Sequence, residues 1–184
     1  MGVADLLLYA PLLVALFWAA VEDISFRRIR NALTFSLAAT GLAQSFLTLH
    51  TVTPWDSLEG LGVGFALMIL PFAVGALGGG DIKLVAAVGA WLGPLGTLNV
   101  FMAAAIVGLI VVLVQSACAG KLSALFWNSY LLAINLVHIS ELGVDHVAET
   151  GSTTTIDKPL PYAVPVFLAT IAVLLGIGLQ PGAL

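Results

Sequence analysis

Residues 98–119 read LNVFMAAAIVGLIVVLVQSACA, an uninterrupted run without one charged side chain. A helix of about 20 apolar residues spans the hydrocarbon core of a bilayer, so this stretch alone predicts a membrane crossing. Working outward, the same test picks out 82–96, 58–77, 32–49 and 4–22 on one side and 162–180 on the other. The 82–96 segment is short for a span, but no charge follows Lys83 within it and Gly93-Pro94 is a strong helix stop. Composition agrees: of 184 residues 60% are hydrophobic and 9% charged, with mean hydropathy +1.11. That leaves too little polar surface to coat a water-soluble globule of this size. The expected fold class is all-α, a polytopic membrane bundle of about six transmembrane helices forming one domain over 1–184.

The few cations orient the bundle. Arg27, Arg28 and Arg30 fall between the first two spans, and the positive-inside rule puts that connection in the cytoplasm. Counting crossings from there brings the segments 78–83 and 120–161, with Lys83, Lys121 and Lys158, to the same side. The outer connections, His50 to Ser57 and Leu95 to Thr97, carry no basic residue, and both termini are expected outside. Within 120–161, residues 121–139 are apolar but interrupted by Ser123, Asn128, Ser129, Asn135 and His138, which predicts an interfacial helix on the cytoplasmic leaflet. If that stretch crossed instead, the spans would number seven and Lys158 would lie outside. Residues 141–158 predict a polar loop, and no separate soluble domain is expected.

Other classes drop out on chemistry. The single Cys118 excludes an internal disulfide framework and CxxC-type zinc or redox sites. A net charge of −4 from so few ionisable groups argues against nucleic acid as a partner. Residues 1–20 lack a basic n-region and carry Asp5, which predicts a retained span. The remaining histidines and acids form no recognisable metal-ligand spacing, so neither metal nor organic cofactor is expected.

Three carboxylates, Glu22, Asp23 and Asp81, sit beside the predicted hydrocarbon boundary, where an ionised group is costly. Asp23 ends the first span and Asp81 opens the fourth after Gly78-Gly79-Gly80, both on the cytoplasmic side of the expected topology. Each has an ordinary reading: Asp23 as a juxtamembrane partner of Arg27, Asp81 as a helix N-cap. Three glycines exceed what a cap needs, and a stretch without Cβ atoms lets another backbone lie against it. Taken jointly, two neighbouring carboxyl groups cannot both ionise easily, so one holds a proton while the other stays charged. Such a pair contains the base that activates a water and the acid that polarises a carbonyl.

Asp23-Ile24-Ser25-Phe26-Arg27-Arg28-Ile29-Arg30-Asn31 resembles the D-x-x-x-x-x-I-x-N signature of type IV prepilin peptidases, and Gly78-Gly79-Gly80-Asp81-Ile82-Lys83 resembles their G-x-G-D-x-K signature. The second signature also names the GxGD intramembrane aspartyl proteases. The resemblance implies that Asp23 and Asp81 are the catalytic pair and that Gly78 and Gly80 shape the loop beneath Asp81. It makes Asn31 and Lys83 motif members that orient the site or anchor helix ends. Pro159 to Pro165 resembles a Pro-Tyr segment of the family, which brings Tyr162 towards the site. Glu22 is a candidate for attracting substrate, with a solvated helix end as its ordinary reading.

The substrates implied are prepilins and similar subunits with a short basic leader, a Gly before the cut and an apolar helix after it. Such a leader stays in the cytoplasm while its helix occupies lipid, so the implied site is the cytoplasmic face of the inner membrane. Longer members carry an N-terminal cytoplasmic region with paired cysteines and also methylate the new N-terminus. Here the first span opens the sequence, so peptidase activity without methyl transfer is expected, as in the compact peptidases of Flp-type pili. Archaeal preflagellin peptidases are a near relative. A transporter, channel subunit or non-catalytic secretion partner is the alternative class, but it leaves both signatures unexplained and needs ionisable groups at mid-membrane, where these spans have none.

Overall fold

In the computed structural model, residues 8–47, 52–73, 75, 77–137 and 161–176 are described, and every regular element among them is α-helical. The helices are α1 (Ala10–Phe26), α2 (Asn31–Gln44), α3 (Pro54–Ala73), α4 (Gly79–Cys118), α5 (Leu122–Val137) and α6 (Ala163–Leu174). The all-α expectation holds. Two of the helices, α3 and α4, are long and apolar enough to cross a membrane, and α6 is a shorter apolar helix. Residues 122–137 of the ambiguous stretch are helical, whereas the expected polar loop at 141–158 and the residues beyond Gly176 lie outside the described part.

Two boundaries differ from expectation. The first helix does not end at residue 22 but runs to Phe26, so Asp23 lies in its last turn, and Arg27 closes it in the left-handed conformation (φ 53°, ψ 33°). The connection expected at Leu95 to Thr97 is itself helical, and the break falls at Gly93 (φ 70°, ψ −177°), a backbone region essentially reserved for glycine. Pro94 then restarts the helix, because a fixed φ and a missing N–H suit a first helical position.

An unbroken helix of 40 residues would be about 60 Å long, twice a bilayer core. The chain instead folds back at Gly93. A Cβ on Gly89 would lie 2.9 Å from Thr97 Oγ1, although these positions would be about 12 Å apart along a continuous helix. The break leaves carbonyls without helical donors, and side chains replace them. The Ala90 oxygen, whose i+4 partner is Pro94, accepts the Ser57 hydroxyl at 2.6 Å. The Trp91 oxygen accepts Gln44 Nε2 at 3.2 Å. A buried carbonyl left without a donor is costly, so each of these side chains stabilises the break.

α4 is the central element, packed along α3, α6 and α2, while α1 lies on α6. The crossing with α3 is closed by glycine: Gly60 and Gly89 meet backbone to backbone, and a Cβ on Gly64 would lie 2.7 Å from the Val85 oxygen. Leu12, Leu16, Met68, Leu84, Val88 and Val166 fill the interior. Beyond the break, α4 buries Val100, Ala104 and Gly108 and exposes Met102, Ile106, Leu109 and Val114. Its outer face is therefore as apolar as its inner one, the pattern of a helix solvated by lipid.

Candidate active site

Asp23 and Asp81 line one cavity of about 550 Å³, together with Arg27, Arg28, Ile29, Arg30, Asn31 and Gly78 to Gly80. The two carboxylates stand close enough to feel each other's charge. Residues from both quoted signatures thus form the walls of a single space.

Each aspartate is fixed by a backbone donor at a helix start. The first N–H groups of a helix have no intrahelical acceptor and carry the positive end of its dipole. Ala163, the first residue of α6, donates its N–H to Asp23 Oδ2 at 3.1 Å. Asp81, three residues into α4, reaches back to the Gly78 N–H with Oδ2 at 2.9 Å, and its own N–H bonds the Gly78 oxygen at 3.1 Å. The N-cap is therefore Gly78, and Asp81 supplies the carboxylate half of a capping box whose other half a glycine lacks. Asp23 is 7% exposed and Asp81 partly buried.

The signature residues also hold the two helix ends together. Lys83 Nζ donates to Asn31 Oδ1 at 2.8 Å and lies 5.6 Å from the centre of the Phe35 ring. Ile29 sits against Gly80, where a Cβ would come within 3.2 Å of the Ile29 Cβ. Gly80 therefore permits a close approach, though its neighbour is a side chain of the 27–31 connection. Tyr162, half-buried at the start of α6, lies within electrostatic reach of Asp81.

Glu22 is not a solvated helix end. It is 4% exposed, and its Oε1 accepts Trp18 Nε1 at 2.9 Å and Arg30 Nε at 2.7 Å. The Ala163 donor and the Glu22–Arg30 pair were missed by sequence reasoning. Pro161 and Pro165 suit a helix start beside Tyr162, and the free N–H groups of such a start are the signal that could have found Ala163.

Residues 10–113 match the type IV leader peptidase family, covering the helices that carry both aspartates. The chain belongs to that family. A curated member, the type 4 prepilin-like proteins leader peptide-processing enzyme of Escherichia coli O78:H11 (strain H10407 / ETEC), is 35% identical over 99 residues. These make up 50% of this chain and 37% of that enzyme, so the chain covers well under half of the relative's length. No solved structure matches. The family match ends before α5 and α6, so Tyr162 and Ala163 lie beyond the matched residues.

Proposed function

We propose that the chain is a membrane-embedded aspartic endopeptidase that removes the short basic leader of prepilin-like substrates at the cytoplasmic face of the inner membrane. The observation that carries this reading is the single cavity lined by Asp23 and Asp81, each carboxyl tethered by the backbone N–H of a helix start. Family membership and the printed name of the relative support the leader-peptide substrate class. In this reading the two carboxyls, which line one cavity, share one proton and titrate as a unit. The charged member takes a proton from water as it attacks the scissile carbonyl; the protonated member polarises that carbonyl and then protonates the departing amine. Tyr162 and the wall at Gly78 and Gly79 are the surfaces on which the extended cleavage segment lies.

In this reading the bundle is multi-pass, with the arginines of the 27–30 connection and the lysines all cytoplasmic and α5 lying on the inner leaflet. The cut bond of a substrate whose basic leader is cytoplasmic and whose helix is in lipid then falls at the depth of the two aspartates. The test is co-expression with a prepilin-like reporter. Asp23→Asn and Asp81→Asn are each expected to abolish cleavage, by at least a thousandfold, while the protein stays inserted and abundant. Cleavage persisting in either variant overturns the paired-aspartate mechanism.

A further inference from the structure

Glu22 is a buried acid to which the proposed reaction assigns no task, and it is held in an unusual way. Trp18 Nε1, Arg30 Nε and the Arg30 terminal nitrogen, at 2.6 Å, all converge on Oε1. Oε2 is buried without a hydrogen-bond partner. Arg30 itself is largely exposed, with 70% of its side chain accessible. A packed surface seldom carries a buried acid with half of its hydrogen-bonding capacity unused, and such an exception calls for an explanation.

The position of the pair supplies one. Glu22 immediately precedes Asp23 in the last turns of α1, and Arg30 immediately precedes Asn31 at the start of α2. Their bond closes a loop over residues 23–29, which includes the left-handed Arg27. Within that loop Ile29 seats on Gly80, next to Asp81, and directly after it Asn31 takes the Lys83 ammonium. The connection is thus tied to α1 at one end and to α4 at the other, with one aspartate beside each tie.

We infer that the Glu22–Arg30 ion pair is a strap that positions the dyad: it holds the 27–31 connection so that Ile29 and Asn31 dock on α4 and set the spacing between Asp23 and Asp81. Both are positioning residues. The inference rests on the endopeptidase reading for its kinetic consequence, but the strap has a physical consequence of its own.

A purified prepilin-like polypeptide with a basic leader, a Gly and an apolar helix serves as substrate. Arg30→Ala is expected to lower kcat at least tenfold with KM within about twofold, and Arg30→Lys to fall between it and the parent, because one ammonium cannot reproduce the two-nitrogen grip. The pH profile of kcat separates positioning from mere loss of fold. Two carboxyls that approach closely split their apparent pKa values widely; moved apart, they titrate closer together, and the bell narrows. Fewer folded molecules would lower the bell without changing its width. Since Arg30→Ala leaves a buried charge uncompensated, Glu22→Gln/Arg30→Gln provides a neutral pair that keeps the chain folded but unstrapped, and it too should show low kcat and a narrowed bell.

An activity-independent measurement uses Glu22→Gln in detergent, where trypsin should cut after Arg27 or Arg28 at least tenfold faster than in the parent. Unchanged kcat and bell width in the folded variants, or unchanged tryptic cutting in Glu22→Gln, overturns the strap. A parent protein that leaves the substrate intact overturns the endopeptidase reading instead, and the tryptic measurement still decides the strap.

Discussion

At Ala90 one carbonyl oxygen loses its helical donor because residue 94 is proline, and the Ser57 hydroxyl, fully buried, replaces it. Ser57→Ala therefore leaves a buried acceptor without a partner, at a cost of about 1–3 kcal/mol. The expected outcome is a lower melting temperature in detergent with the cleavage site unaltered at permissive temperature, checked by thermal unfolding and reporter cleavage. The same attention to single atoms separates the acids. Asp23 and Asp81 each have a charged residue within two positions in sequence, yet each carboxylate accepts its hydrogen bond from an uncharged backbone N–H. Glu22, one residue from Asp23, is the one gripped by an arginine. A reading of side-chain types ranks Arg27 as the natural partner of Asp23; Arg27 has left the helix in the left-handed conformation, so it acts on Asp23 through its charge and not as a helical i,i+4 ion pair.

At the scale of elements, α3 and α4 meet through glycine. Gly60, Gly64, Gly89 and Gly93 are visible in the sequence as pairs four apart, a spacing too common in a chain with 19 glycines to be decisive. The contacts decide it: a methyl on Gly89 would strike the Gly60 carbonyl, which is backbone and cannot rotate away. Gly89→Ala is expected to destabilise the bundle by about 3 kcal/mol, within the upper range for overpacking. Gly62, on the same helix as Gly60, has open space where its Cβ would be. Gly62→Ala is expected to be neutral or stabilising by up to about 1 kcal/mol through helix propensity. Membrane abundance and thermal unfolding of the two variants, side by side, check the assignment; equal effects would reject a close α3–α4 crossing. Element ends were less legible than element existence. The apolar run of the first span stops at residue 22, but the helix continues for another turn because backbone hydrogen bonding does not require apolar side chains.

The whole molecule is proposed to cross the membrane with every cation on the cytoplasmic side. With Cys118 replaced by Ala, single cysteines at Thr53 and Leu95 are expected to react with an impermeant maleimide on intact cells, and cysteines at Arg28 and Ser123 only after permeabilisation. Reaction at position 28 in intact cells would invert the orientation and detach the cavity from a cytoplasmic leader. In that arrangement the apolar side chains Phe65, Ile69 and Ile106, each about half exposed, would face lipid.

The amino-acid sequence by itself determined the helical class, the apolar runs and both aspartate signatures, because hydrophobic length and short spacings are local properties of the chain. Only the tertiary structure decided that Asp23 and Asp81 share a cavity, that α6 supplies the Ala163 N–H from 140 positions away, and that Lys83 finds Asn31 across 52. The physical reason is that a backbone N–H carries no side-chain identity to read. Which orphaned donor meets which carboxylate depends on how helices of similar composition pack, and packing turns on close approaches such as Gly60 on Gly89 and on the direction α4 takes after Gly93.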